Sequence, residues 1–204
     1  MTKRITIIAV LCVSLLSAVA AYFYRDEIEV GLTRLDTWGP LSVAKVSDGD
    51  TIRVRALSGT IRTLRLRGIN APELSHAGKI KRTRECYAEE ATRALGAMLE
   101  DNVVAIEYDH EVFDDDGRLI GFVFAYSSRL HYFATLGFGG KHVNLALLQQ
   151  GFAEDYLYRN RPHRFADAFL RAETQAKVAG VNGWGACEDF KKHPRRPKGR
   201  RTRS

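Results

Sequence analysis

The sequence contains only three cysteines in 204 residues, and none stands in a C-x-x-C pair or has a histidine at ligand spacing. A structural zinc site of the cysteine and histidine type is therefore not indicated. Only one long run lacks charge, Ile5–Tyr24, which argues against a membrane protein with several spans. Hydrophobic residues make up 45% of the chain, enough to bury a core, which argues against wholesale disorder. No internal repeat or low-complexity segment interrupts the sequence.

The net charge of +7 is unevenly distributed along the chain. Residues 191–204 hold eight of the 31 basic residues and no acid, which leaves 23 bases against 24 acids in residues 1–190. We expect this tail to be disordered and to bind an anionic polymer or lipid headgroups, with a solvated solubility tail as the alternative. Within Lys45–Arg84, ten bases accompany three acids, so the segment presents a locally basic face.

The N-terminal sequence has the pattern of an export segment. Lys3 and Arg4 precede the uncharged run, which is long enough to cross a bilayer as one helix. The same run resembles a secretory signal peptide, because Ala18-Val19-Ala20 forms an A-x-A cleavage site. Residues 1–24 are therefore a signal peptide or a membrane anchor, and either assignment places the domain outside the cytoplasm, secreted, periplasmic or anchored to the membrane.

Two cysteines remain in the exported part, Cys86 and Cys187. An even pair in an oxidising compartment favours a disulfide over two free thiols. Such a bridge would close a loop of about a hundred residues and contribute about 4 kcal/mol to stability in the chain-entropy model.

The hydrophobic pattern predicts an α+β domain over residues 41–190, after a linker at residues 25–40. Alternation from Leu41 to Leu66 indicates three antiparallel strands, with turns at Asp48-Gly49-Asp50 and Ser58-Gly59. The remaining predicted elements are a helix over 85–100, strands over 103–106 and 119–126, and helices over 143–150 and 164–179. This order fits a small five-stranded barrel with three helices at one end.

Acids and arginines at the predicted turns are the candidates for chemistry. Asp48 and Asp50 flank a glycine, the turn N-A-P-E supplies Asn70 and Glu73, and Arg65 lies on the strand before it. Arg118 follows a third acidic turn, D-D-D-G-R. Hard oxygen ligands suit Ca²⁺, and guanidinium groups match phosphate oxygens. Together they indicate phosphodiester chemistry, in which a carboxylate directs a water molecule at phosphorus.

The spacing of these motifs resembles the staphylococcal nuclease (thermonuclease) family over about Val43 to Cys187. The resemblance rests on V-A-K-V-S-D-G-D-T-I, R-L-R-G-I-N-A-P-E, E-C-Y-A-E-E-A, D-D-D-G-R-L, V-N-L-A-L-L-Q-Q-G-F-A and the segment from Ala176 to Trp184. It implies an OB-fold barrel with three helices, and an endonuclease that cleaves DNA and RNA with Ca²⁺ and releases 3′-phosphate ends. We expect such a domain to act as a monomer.

The resemblance also implies roles for individual residues. Arg65 and Arg118 match the two phosphate-binding arginines, and Glu73 matches the glutamate usually described as the general base. The matches to the calcium ligands are the carboxylate of Asp50, the position of Asn70 and the backbone carbonyl of Ala71. The two tyrosines that resemble the family's nucleotide-contacting pair are Tyr156 and Tyr158, and core packing is the alternative reading for them.

Three departures from the family pattern change the expectations. Asn70 replaces the second calcium carboxylate, so we expect one weakly bound ion or a shifted preference among divalent ions. Asp114, Asp115 and Asp116 place negative charge before Arg118, where it would repel a polyanion or add metal ligands. An extra stretch over 127–140 is too apolar for an idle loop, so it extends a hairpin or makes a membrane or partner contact.

Two other functions remain open from the sequence. The domain could be a catalytically weakened OB-type protein that binds nucleic acid at the cell surface, with Asn70 marking a decayed metal site. It could also be a cell-surface scaffold held through its N-terminal helix and basic tail. Arg65, Glu73 and Arg118 are all present, and this favours the nuclease.

Overall fold

The computed structural model describes residues 37–74, 84–135, 137–188 and 190. The predicted signal or anchor at 1–24, most of the predicted linker at 25–40 and the basic tail at 191–204 lie outside these residues. Among the described residues, no helix combines the length and the apolar character that a bilayer span requires.

The described residues form eight strands, namely Thr37–Asp48 (β1), Thr51–Arg55 (β2), Ile61–Leu66 (β3), Ile69–Asn70 (β4), Val103–Glu107 (β5), Leu119–Tyr126 (β6), Lys141–His142 (β7) and Glu154–Asp155 (β8). Five of them follow the order β3-β2-β1-β5-β6, and a parallel pairing of β3 with β6 closes this sheet into a barrel. Strand β7 adds to the edge of β6, and β4 pairs separately with β8. The predicted five-stranded barrel is confirmed.

Alternation along β2 and β3 explains how the barrel fills. Ile52, Val54, Leu64 and Leu66 are all buried, because they point inward from the two paired strands. The residues between them point outward, and they include the exposed cations of β2. One face of this hairpin therefore belongs to the core and the other faces solvent.

In the described part of the chain, five α-helices are formed by Ala88–Leu99 (α1), Arg129–Ala134 (α2), Val143–Gln149 (α3), Ala166–Ala179 (α4) and Gly183–Ala186 (α5), and Tyr158–Asn160 form one 3-10 turn. The three predicted helices correspond to α1, α3 and α4. Helix α1 sends Leu95 and Leu99 into the core, and α4 ends at Gly180, whose φ of 61° suits a left-handed cap. The two short helices α2 and α5 were not predicted.

Strand β1 begins at Thr37, four residues before the predicted start of the domain. Thr37 and Trp38 pair with Glu107 and Ile106 of β5, and the Trp38 side chain is buried in the core. Residues 37–40, which the sequence assigns to a linker, therefore belong to the barrel. The sequence did not indicate a strand here because a β-bulge between Trp38 and Leu41 interrupts the alternation of apolar and polar residues.

Cys86 and Cys187 form the predicted disulfide, with their Cα atoms 6.0 Å apart and a sequence separation of 101. Cys187 packs with Trp184 and Phe190 in a small apolar cluster separate from the main core. The bridge fastens the C-terminal end of the domain to the segment before α1.

The insert over 127–140 forms helix α2 and a loop that returns to β6 through β7. The ring of Tyr132 packs edge-on against Tyr126, with centroids 5.1 Å apart. Leu130 and Phe138 remain 78% and 76% exposed. The insert is thus a helical excursion at the C-terminal end of β6, and its membrane or partner contact stays a prediction.

Candidate functional site

The site begins at the tight turn between β1 and β2, formed by Asp48, Gly49 and Asp50. A Cβ atom at Gly49 would lie 2.6 Å from the Cβ of Ala71 and 2.8 Å from that of Ala91, so only glycine fits. The turn is therefore pressed against the segment that follows β4 and against helix α1.

The carboxylate of Asp50 is the centre of the site. It is 2% exposed, and both oxygens accept hydrogen bonds. Oδ1 accepts from Nη1 of Arg65 and from Oγ1 of Thr51, both at 2.9 Å, and Oδ2 accepts from the backbone N–H of Ala71 at 3.1 Å. A buried carboxylate with this many donors is held in one orientation.

Arg65 connects this carboxylate to the next loop. Its Nη2 donates to Oδ1 of Asn70 at 3.2 Å, so the side-chain oxygens of Asp50 and Asn70 converge on one guanidinium. Burial lowers the pKa of Arg65, but the negative charges of Asp50, Glu73 and Asp48 outweigh that effect and raise it. Arg65 is therefore a fixed positive charge in a nearly buried position.

Asp48 adds a second buried carboxylate to the turn. Its Oδ1 accepts from the backbone N–H of Asp50 at 3.2 Å. Burial, followed by the charge of Asp50, raises the pKa of Asp48 to about 6. The two acids of the turn thus exceed the one guanidinium that faces them, and the excess negative charge favours a cation.

Glu73 is fixed through its backbone, and its carboxylate forms no hydrogen bond with the described residues. The backbone N–H of Glu73 donates to Oε2 of Glu85 at 2.8 Å, and the N–H of Glu85 donates to the carbonyl of Glu73 at 3.2 Å. The side chain is half-buried, and its charge influences the pKa values of both Arg65 and Asp48. It is a carboxylate near the site that is left available to a ligand or water.

Arg118 lies at the start of β6, directly before Leu119, which pairs with Leu64 of β3. This parallel pairing brings the strand of Arg118 beside the strand of Arg65. The Nε of Arg118 donates to Oδ2 of Asp114 at 2.8 Å, and its Nη2 donates to Oδ2 of Asp116 at 3.0 Å. The side chain is 27% exposed, so the second arginine is oriented and still accessible.

The acids before Arg118 are all paired with arginines. Asp114 and Asp116 bind Arg118, and Asp115 forms an ion pair with Arg159. Within the described ranges, no group of three or more histidine, cysteine or acidic side chains is arranged to hold a metal ion. The acidic turn therefore orients arginines, and its expected effects on a polyanion or on metal binding stay predictions.

The two predicted tyrosines lie beside different charged groups of this region. Tyr156 is half-buried, and its charge influences the pKa of Arg65, which places the phenol near that guanidinium. Tyr158 carries the Arg159 guanidinium 5.3 Å from its ring centroid, and burial followed by the charge of Asp115 raises its pKa. Among the described residues, the main hydrophobic core does not include either tyrosine, and their contact with a nucleotide stays a prediction.

The oxygen donors of the site suit a hard cation. The carboxylate of Asp50 and the amide oxygen of Asn70 already share one guanidinium, and Ala71 follows directly with a backbone carbonyl. Carboxylate, amide and carbonyl oxygens are the ligands that Ca²⁺ prefers in proteins. The oxygen types present therefore suit a calcium-type ion with few charged ligands, which would have to share the oxygens of Asp50 and Asn70 with the Arg65 guanidinium.

The structure brings most of the predicted residues together. Direct contacts join Asp50, Arg65, Asn70 and Ala71, while Glu73 lies within electrostatic range of Arg65. Arg118 approaches through the pairing of β6 with β3. The sequence did not reveal that three residues hold the site residues in place. These are Thr51, Asp114 and Arg159. The signal for Asp114 was present, because an aspartate that opens a D-D-D-G-R turn commonly accepts backbone N–H bonds.

Comparison with known proteins places this sequence among nucleases. The family model described as "Staphylococcal nuclease homologue" matches residues 63–186. The chain is 26% identical over 149 residues to the SPbeta prophage-derived endonuclease YokF of Bacillus subtilis (strain 168), which covers 71% of this chain and 43% of that protein. It is 28% identical over 142 residues to the thermonuclease of Staphylococcus hyicus, which covers 70% of this chain and 73% of that protein.

Proposed function

The chain belongs to the staphylococcal nuclease homologue family, and from that membership we propose that it is a nuclease that hydrolyses phosphodiester bonds in DNA, RNA or both. The observation that carries the proposal is the Arg65 guanidinium, held by Asp50 and Asn70 near the carboxylate of Glu73, which accepts no hydrogen bond from any described residue. An anion-binding cation next to an available carboxylate is what water attack on a phosphodiester requires.

Arg65 and Arg118 bind the scissile phosphate. Each guanidinium presents a planar set of donors that matches phosphate oxygens. Carboxylates fix both side chains before any ligand arrives, Asp50 for Arg65 and Asp114 for Arg118. The two charges are therefore organised in advance to stabilise the charge that develops on the oxygens around phosphorus.

Glu73 directs the attacking water. Its carboxylate accepts a proton from the water while the water oxygen bonds to phosphorus. The bond from phosphorus to the 5′ oxygen then breaks, the leaving oxygen takes up a proton from solvent, and Glu73 returns its proton to solvent, so the cut strand ends in a 3′-phosphate. The half-buried position of Glu73 and its lack of a hydrogen-bond partner among the described residues support this role.

Asp50, Asn70 and the carbonyl of Ala71 would hold a divalent cation, which we propose to be Ca²⁺. When bound, the ion would supply positive charge that lowers the energy of the phosphoryl oxygens in the transition state. With Asn70 in place of a carboxylate, the site has fewer charged ligands, so we expect weak binding. Tyr156, beside Arg65, and Tyr158, beside the acidic turn, would contact the nucleotide through their rings.

We further propose that the domain acts outside the cytoplasm, secreted, periplasmic or anchored by residues 1–24. The sequence of that segment and the disulfide between Cys86 and Cys187 support this location, because disulfides persist in oxidising compartments. Membrane association through residues 5–24 and anion binding through residues 191–204 remain parts of the same proposal.

The test is hydrolysis of single-stranded DNA by the purified protein with Ca²⁺, with EDTA and as the Glu73→Gln variant. Loss of a general base lowers the rate by about 10²- to 10⁴-fold, so we expect that loss for Glu73→Gln. Glu100→Gln is the matched control, since it makes the same change at an exposed position after α1. Wild-type rates in Glu73→Gln would remove the assigned role, and DNA binding without any hydrolysis would instead favour the non-catalytic binder.

A further inference from the structure

A row of cations leads away from the site along the outer face of the barrel. Thr51 pairs with Arg65, Arg53 pairs with Thr63, and Arg55 pairs with Ile61. Paired residues in an antiparallel ladder point to the same face, and residues two apart along a strand share that face. Arg53 and Arg55 therefore lie on the face to which Arg65 belongs.

Strand β1 adds a third cation to this face. Lys45 pairs with Arg53, so the two side chains stand next to each other across the strands. All three cations, Lys45, Arg53 and Arg55, are exposed. We name this set the basic track. Residues two apart along β2 are separated by about 6.6 Å. Arg53 therefore lies about 7 Å along the strand from Thr51, the partner of Arg65, and Arg55 lies about 7 Å further.

The basic track differs from most other cations of the domain because no acid among the described residues forms an ion pair with it. Among the described residues, none of its three members forms an ion pair or a side-chain hydrogen bond. By contrast, carboxylates bind most of the arginines elsewhere, namely Arg67, Arg84, Arg93, Arg118, Arg159, Arg161 and Arg164. Three adjacent cations without acids form a local positive potential that attracts a polyanion.

We propose that the basic track is a binding subsite for single-stranded nucleic acid, which holds the phosphates of the strand beyond the scissile bond. The proposal rests on the proposed nuclease function, because it needs a scissile phosphate at Arg65. A row of cations that continues on the same face as that arginine suits an extended strand whose phosphates follow one another at regular steps. Exposed lysine and arginine side chains contact phosphates with little dependence on base identity. The track therefore favours long strands without selecting a sequence.

The test is the salt dependence of strand binding by the full chain. A labelled single-stranded deoxyoligonucleotide of about 16 nucleotides covers the site and the track. Its affinity is measured by fluorescence anisotropy in EDTA at several salt concentrations, for the wild type and for the triple variant Lys45→Gln, Arg53→Gln, Arg55→Gln. The basic tail is the same in both proteins, so the difference in slope reports the track alone.

Three phosphate contacts to a single strand contribute a slope of about 2 in log affinity against log salt. Raising the salt from about 50 to about 200 mM should weaken binding in both proteins. We expect the factor by which affinity falls to be about 20-fold smaller for the triple variant than for the wild type. The control is Arg129→Gln, Lys141→Gln, Arg171→Gln, which removes the same charge at positions off the track; its slope should equal that of the wild type.

Equal salt slopes in the triple variant and the wild type would overturn the proposed subsite. It would also be overturned if the control variant lost as much slope as the triple variant. If the triple variant does not fold, Arg55→Gln alone replaces it, with an expected drop in slope of about 0.7. Because binding is measured without hydrolysis, failure of the track is distinguishable from failure of the nuclease. If the wild type binds DNA without hydrolysing it and the triple variant still has the smaller salt slope, only the proposed nuclease function is contradicted.

Discussion

Asp114→Asn separates the orientation of Arg118 from the folding of its turn. Oδ1 of Asp114 accepts from the backbone N–H groups of Asp116 and Arg118, at 3.0 and 2.9 Å. An asparagine keeps that oxygen and so keeps the turn. Oδ2 accepts from Nε of Arg118 at 2.8 Å, and an amide nitrogen in its place cannot accept. The substitution therefore releases the guanidinium while leaving the backbone in place.

The size of the effect follows from burial. The Asp114 side chain is only 3% exposed, so its bond to Arg118 is a charge-assisted hydrogen bond shielded from water. Such bonds contribute about 1.5–3 kcal/mol. If Arg118 must keep this orientation to bind the phosphate, Asp114→Asn lowers kcat/KM about 10- to 100-fold, since 1.4 kcal/mol corresponds to a factor of ten. The free energy of unfolding should fall by a similar few kcal/mol at most.

The assay is cleavage of single-stranded DNA, with urea unfolding measured on the same preparations. Asp116→Asn is the control, because Asp116 is 67% exposed and binds the same guanidinium at 3.0 Å. An exposed pair contributes less than about 1 kcal/mol, so this variant should retain most of its activity. Wild-type kcat/KM in Asp114→Asn, or an equal loss in Asp116→Asn, would refute the positioning of Arg118 by a buried acid.

Two further predictions concern the cation and pH. Asn70→Asp should raise Ca²⁺ affinity in a calorimetric titration, because affinity rises with the number of charged ligands; unchanged affinity would remove Asn70 from the metal site. Burial, followed by nearby arginines, lowers the pKa values of His142 and His163 to about 4. Only the unfolded chain then takes up these protons, so the free energy of unfolding falls as pH drops from about 6.5 to about 4, by up to about 1.4 kcal/mol per pH unit and histidine. Burial raises the pKa of Glu154 to about 7, so this group stabilises the fold as pH falls and opposes the histidines. For this reason the urea midpoints of the wild type at pH 7 and pH 5 are compared with those of His163→Gln. The midpoint should fall less between these pH values in the variant than in the wild type.

Local patterns were sufficient to predict the barrel. Strand β2 alternates between buried and exposed residues from Ile52 to Arg55, β3 buries Leu64 and Leu66 on the same inner face, and α1 repeats its apolar residues at helical spacing. The turn at Gly49 and the end of α4 at Gly180 were also readable, since glycine marks tight turns and helix ends. In these elements the local preference and the tertiary packing agree.

Other features depended on contacts between distant residues and were not predictable. Trp38 joins the core through pairing with β5, which lies almost seventy residues later in sequence. Helix α2 is stabilised by the packing of Tyr132 on Tyr126, and short helices carry little signal of their own. In the site, the residue types and spacing indicated Arg65, Glu73 and Arg118. Which acid holds which arginine required the fold.

The most direct test of the central claim is the chemistry of the cut ends. Single-stranded DNA is incubated with the purified protein and Ca²⁺, and the fragments are tested for extension by a DNA polymerase before and after phosphatase treatment. Attack of water with departure of the 5′ oxygen predicts fragments that are extended only after phosphatase removes a 3′-phosphate. Intact DNA, or fragments that are extended without phosphatase, would contradict the proposed reaction at Arg65, Glu73 and Arg118.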